Sequence, residues 1–184
     1  MRIVGGRLSG RPLAGPKSNA IRPTSDRLRE SLFSILKHRL DLPQDGARVL
    51  DLFAGTGALG LEAISRGAGY ALFVEEGAEA RALIRKNVET LGLTGATRLF
   101  RRDATRLGPA GNMKPFDLAF CDPPYGKGLG ERALGGALSG GWLKPGAVAV
   151  LEESAKAEVA LPEGFEIIDE REAGESRLLI LKAG

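Results

Sequence analysis

The chain has 184 residues, 43% of them hydrophobic and 27% charged, an ordinary globular composition at a length that suits one domain. One cysteine, Cys121, and one histidine, His38, exclude an internal disulfide and a zinc site of the usual Cys/His type. No run approaches the ~18 apolar residues of a bilayer span, and residues 1–10 lack the apolar stretch of a secretory signal, so a cytoplasmic location with no metal and no membrane partner is expected. The net charge is only +3, but residues 1–40 hold nine basic and two acidic side chains. A basic N-terminal segment on a slightly acidic body is the pattern of a polyanion-binding extension.

In chain order, Ile3-Val4 and Leu8 to Leu13 flank Gly5-Gly6 and Ser9-Gly10, which predicts a short β-hairpin arm. Pro12 keeps that arm away from a central strand position. Leu28, Leu32, Phe33, Leu36 and Leu40 then recur at helical spacing. Thr24 or Ser25 can cap this helix, and Pro43 and Gly46 close it. Strands are expected at 48–53, 70–75, 97–101, 116–121 and 148–152, with helices near 58–66, 78–91 and 131–138 between them. The last two strands, 165–169 and 178–181, are joined too closely for a helix and read as an antiparallel pair at the sheet edge. The expected fold is therefore α/β: a mostly parallel seven-stranded sheet with helices on both faces. Residues 1–20 form a basic hairpin arm and residues 21–184 the main domain.

The first strand runs into Asp51-Leu-Phe-Ala-Gly55-Thr-Gly57-Ala-Leu-Gly60, a G-x-G-x-x-G that opens a helix. Such glycines give a tight turn and close backbone approach to a ligand at the helix N-terminus. Glu75 ends the next strand, where a ribose-binding acid belongs. A nicotinamide dehydrogenase would share these features, as would a glycine turn that only packs helix on strand. Asp51 separates them, because a carboxylate at the strand end repels a pyrophosphate and suits a cofactor with a cationic amino group. Asp103, after the third strand, is placed to accept from an adenine amino group.

Asp122-Pro123-Pro124-Tyr125 ends the fourth strand, at the sheet edge where ligands of open α/β folds bind. Two prolines fix the backbone and remove two amide donors. What remains is a rigid wall of acceptors beside a planar ring, which suits a planar group bearing an NH₂.

Residues 51–60, Glu75, Asp103 and 122–125 resemble successive motifs of the class I S-adenosylmethionine-dependent methyltransferases, which have a Rossmann-like fold. The resemblance implies S-adenosylmethionine as cofactor, with its methionine end by Asp51, Phe53, Ala54, Gly55 and Gly57, its ribose on Glu75 and its adenine by Asp103. The Asp-Pro-Pro-Tyr motif is similar to that of the branch methylating exocyclic or amide nitrogens. It implies catalytic roles for Asp122, Pro123 and Tyr125. Arg2 to Gly6, Gly10 to Leu13 and the stretch 22–33 are similar to bacterial 16S ribosomal RNA guanine-N2 methyltransferases of the RsmD type, with Ser9 departing where a basic residue is expected. The resemblance spans essentially the whole chain. It implies 16S rRNA in the small ribosomal subunit or its assembly intermediate as partner. Arg2, Arg7, Arg11, Arg22, Arg27 and Arg29 would then contact phosphates, with Pro124 beside the substrate. The competing readings are an adenine-N6 DNA or RNA enzyme, a glutamine-N5 protein enzyme and a non-catalytic RNA-binding module of ribosome assembly.

Overall fold

The computed structural model describes residues 1–19, 21 and 23–184. Its centre is a sheet of β1 (Arg48–Leu52), β2 (Tyr70–Val74), β3 (Thr97–Phe100), β4 (Phe116–Cys121), β5 (Leu143–Ser154), β6 (Phe165–Ala173) and β7 (Ser176–Ala183). The strand order is β3-β2-β1-β4-β5-β7-β6. The first five strands pair in parallel, while β7 runs antiparallel between β5 and the edge strand β6. Order reverses between β1 and β4, so the crevice at their carboxyl ends is the switch point where such sheets bind ligands.

Among the described residues four α-helices cover the sheet: α1 (Asp26–Leu40), α2 (Ala58–Ser65), α3 (Ala78–Thr90) and α4 (Leu129–Ser139). Side chains alternate along each strand, so two cores form. Val49, Phe73 and Phe120 face α1, α2 and α3, whereas Leu50, Leu72 and Cys121 face α4, the turn Ala104–Arg106 and Trp142. The sheet is thus covered on both faces, as expected. Ser25, not Thr24, caps α1: its hydroxyl accepts from the Leu28 amide at 3.1 Å.

Two expectations need correction. The N-terminal hairpin forms, with Arg2 bridging Pro12 and Ile3 N–H donating to Arg11 O and Leu13 N–H to Met1 O, both at 2.9 Å, but it does not project as an arm. The segment folds instead onto the body. Ile3 and Leu13 enter the core of the α1–α3 face, and the Arg7 amide donates to Ser65 O at 2.9 Å. Second, Arg29 is not a phosphate contact. It is fully buried, with Leu32, Phe33 and Leu36, on the inner face of α1. Its guanidinium donates to Arg2 O at 2.8 Å, pairs with Asp26, and lies 3.8 Å from the buried Glu62. A charge held there is paired inside the protein and has no access to RNA.

Candidate active site

The glycine loop turns the chain from β1 into α2. Phe53, Gly55 and Gly57 all have positive φ, at 56°, 60° and 81°, which is strained only for Phe53. Gly60 is required by close approach: a Cβ there would lie 2.5 Å from the Phe73 ring. That closeness lets the Gly60 amide donate to Asp51 Oδ2 at 3.1 Å. Asp51 is almost wholly buried. Burial drives its carboxyl well above the usual range; the Gly60 bond opposes this, and the nearby Glu75 charge adds to it.

Glu75 sits one residue beyond β2 and is held by backbone amides on both oxygens. Gly55 N–H donates to Oε1 at 2.8 Å and Gly77 N–H to Oε2 at 2.9 Å. One carboxylate therefore ties the glycine loop to the loop after β2. Asp103 caps the turn Ala104–Arg106, its Oδ1 accepting from the Thr105 amide at 2.9 Å and hydroxyl at 2.8 Å. Those two bonds, with smaller help from Arg106 and Arg132, hold its carboxyl below the usual range.

Asp122 follows β4 directly, and the Thr24 hydroxyl donates to its Oδ2 at 3.2 Å. The loop beyond is pinned to the end of β5. Tyr125 Oη donates to Glu152 Oε1 at 2.7 Å, and Gly126 N–H donates to Glu153 Oε1 at 2.9 Å. Both glutamates are buried. Next to this loop the Cys121 thiol is buried, and burial pushes it well above its ordinary range, so it is a core residue and not a nucleophile.

These groups line one cleft of about 810 Å³. Asp51, Phe53, Ala54, Gly55, Glu75, Asp103, Asp122, Pro123, Pro124 and Tyr125 all reach it; Gly57 is buried and does not line it. Glu76 and Glu79 join Asp51 and Glu75 on the lining, which makes a strongly acidic wall suited to a cationic, hydroxyl-bearing ligand. Arg2, Arg7, Arg11 and Arg27 are exposed but do not line the cleft. Arg22 lies outside the described residues.

Sequence reading missed three residues. Glu152 fixes Tyr125, and its place could have been foreseen from the parallel register of Cys121 with Leu151. Thr24, taken only as a possible cap, turns to Asp122 instead. Asn87 of α3 is buried and bonds Thr56 O of the glycine loop at 3.0 Å, Ala14 N at 2.7 Å and Ala14 O at 3.2 Å. It joins the N-terminal segment to the loop, and no sequence motif signals it.

A family model described as "Conserved hypothetical protein 95" matches residues 1–182. The ribosomal RNA small subunit methyltransferase D of Escherichia coli (strain K12) is 35% identical over 176 residues, covering 95% of this chain and 86% of that protein. Its namesake from Haemophilus influenzae is 32% identical, covering 95% and 89%. A solved Escherichia coli structure described as a methyltransferase superposes with a TM-score of 0.85 at 34% identity, covering 100% of this chain and 97% of that one. With matches over nearly its whole length to proteins of one name, and a switch-point cleft carrying the same order of acids and glycines that the sequence laid out, the chain belongs to this family and is a methyltransferase of the ribosomal RNA small subunit methyltransferase D group.

Proposed function

We propose that the protein methylates the exocyclic N2 amino group of a guanine in 16S rRNA of the small ribosomal subunit or its assembly intermediate, using S-adenosylmethionine. The observation that carries the proposal is the Asp122–Tyr125 loop, braced by Thr24 and Glu152 at the mouth of an acidic cleft. The cofactor fits the residues present. Asp51 is a buried carboxyl at the cleft floor, where a cationic amino group would favour its ionised form, and Glu75 is placed to accept from ribose hydroxyls. When bound, S-adenosylmethionine supplies an electrophilic methyl group. Residues 1–20 would face RNA as a docked segment through Arg2, Arg7 and Arg11, with Arg27 of the catalytic portion (21–184) adding to that surface.

The amino nitrogen of guanine is a weak nucleophile because its lone pair is delocalised into the ring. Asp122 and the Pro123 carbonyl accept its two N–H bonds and orient the lone pair. The Asp122 charge stabilises the positive charge that develops on nitrogen, in a site shielded from water. Asp122 then takes the proton that the methylated nitrogen sheds. Tyr125, held by Glu152, stacks on a base that has left its own helix or loop to enter the cleft.

The direct test supplies labelled S-adenosylmethionine to small subunits from cells lacking the gene, with naked 16S rRNA, duplex DNA and release factor in parallel, and identifies the labelled product. Label in N2-methylguanosine is expected. Label in N6-methyladenine or in protein would replace the substrate while leaving the nitrogen chemistry of Asp122 in place.

Asp51 gives a second test with a defined sign. Its folded carboxyl titrates above the unfolded value of 3.8, so the folded protein holds a proton that the unfolded chain releases. Stability is lost as pH rises from the unfolded value through the folded one. Asp51→Asn removes that loss, so thermal melts from about pH 4 to about pH 8 should show the variant gaining on the parent as pH rises. The same change should weaken S-adenosylmethionine binding by roughly 10- to 100-fold, the weight of one charge-assisted hydrogen bond. A variant that binds the cofactor normally would remove Asp51 from the site.

A further inference from the structure

The cleft is divided by charge. Asp51, Glu75, Glu76 and Glu79 contribute the acids that follow β1 and β2, while Arg102, Arg106 and Arg132 line the same cleft from the loop after β3 and from α4. Arg106 and Arg132 both stand close enough to Asp103 to depress its carboxyl. Arg102 is braced by a bond from Nη1 to Leu107 O at 2.9 Å and by the Phe100 ring 5.0 Å beneath its guanidinium. All three are exposed, and among the described residues none forms an ion pair within 4.0 Å. Asp103 offsets part of the charge of Arg106 and Arg132, and the guanidinium groups otherwise face solvent. An anion that enters with the other substrate would meet three donors there.

The arm's end at Asn19 lines the cleft, but its Arg2, Arg7 and Arg11 do not. The arm packs on the α1–α3 face, and its tip at Arg7 meets Ser65, the last residue of α2. That is one helix length, about 12 Å, from the glycine loop. Arg102, Arg106 and Arg132 line the same cleft as Asp122–Tyr125.

We infer that Arg102, Arg106 and Arg132 form a phosphate-binding rim for the single-stranded RNA that flanks the target nucleotide. The inference rests on RNA being the substrate. Each phosphate contact releases counterions, so the rim should account for part of the salt dependence of RNA binding.

The experiment compares the parent with the triple variant Arg102→Gln, Arg106→Gln, Arg132→Gln on small subunits, reading KM for subunits against salt, kcat and the Kd for S-adenosylmethionine. An Arg85→Gln, Lys86→Gln, Lys114→Gln variant removes the same charge from exposed positions away from the cleft. The rim variant should raise KM at least about tenfold and flatten the log–log salt slope by roughly 2, near 0.7 per lost phosphate contact on a single strand. Its kcat should hold, and its cofactor Kd should move far less than KM. Lysine at all three positions should restore the slope, which separates lost charge from lost structure. An unchanged slope in the rim variant, or an equal flattening in the distal variant, overturns the rim. If the parent itself puts no label into RNA, the substrate reading fails instead, and the two failures are told apart by that lane.

Discussion

Asp122→Ala should reduce methyl transfer by roughly 10²–10³-fold or more while leaving S-adenosylmethionine binding within about twofold of the parent, because the lost interaction is made to the reacting nitrogen and strengthens as charge develops there. The geometry argues for a separation of this kind. Asp122 follows β4 and is braced by Thr24, 98 positions earlier, whereas Asp51 is held by the Gly60 amide of α2 and Glu75 by amides of the loops after β1 and β2. Removing Asp122 takes away an acceptor and a negative charge without loosening either loop. Asp122→Asn distinguishes the two losses, since its carbonyl still accepts one N–H while the charge is gone, and it should fall between the parent and alanine. Single-turnover rates with saturating subunits, alongside calorimetric titration of the cofactor, measure both quantities. Near-normal turnover in Asp122→Ala would dismiss the assignment.

Glu62→Ala should lower the free energy of unfolding by about 3–5 kcal/mol, the usual result of removing one member of a buried ion network. Glu62 has no exposed surface. It accepts from Val4 N and Gly5 N at 2.9 Å and from Arg66 Nε at 2.9 Å, and the buried Arg29 lies 3.8 Å away. Truncation strands two backbone amides and leaves Arg29 with Asp26 as its remaining carboxylate partner among the described residues. Since domains are stable by only about 5–15 kcal/mol, the variant should stand near the edge of folding. Glu62→Gln, which keeps the shape and an acceptor, should lose less. Urea midpoints give the energy, and hydrogen exchange at Val4 and Gly5 shows whether the N-terminal segment detaches first. A loss below about 1 kcal/mol would mean the network is not what holds that segment.

How legible this protein was in its sequence depended on where each signal sat. β1, β2 and β4 ended within a residue of their expected limits, because strands buried on both faces read as largely apolar runs. β5 begins five residues before the expected Val148 because Lys144, Pro145 and Gly146 are exposed and break the apolar run. The edge strand β6 runs on to Ala173 through Glu170, Arg171 and Glu172, whose charges hide a strand while protecting its free edge. The site acids were readable because each stands at a strand end, where chain order alone fixes position. Thr24 was not, since its partner Asp122 is 98 positions away. Arg29 left a signal that its charge masked: Arg29, Leu32, Phe33 and Leu36 follow the i, i+3, i+4, i+7 stripe of a buried helix face.

The docking of the N-terminal segment also orders events during synthesis. Val4 finds its partner 58 positions later, at Glu62, and Ala14 finds its own 73 positions later, at Asn87. Contacts so distant along the chain are slow to form, and chains emerge from the ribosome N-terminus first. The residues made first must therefore wait, unplaced, until α3 has been translated, and they close the structure from behind. The glycine loop, bonded to the same Asn87 through Thr56, acquires its final support only at that late step.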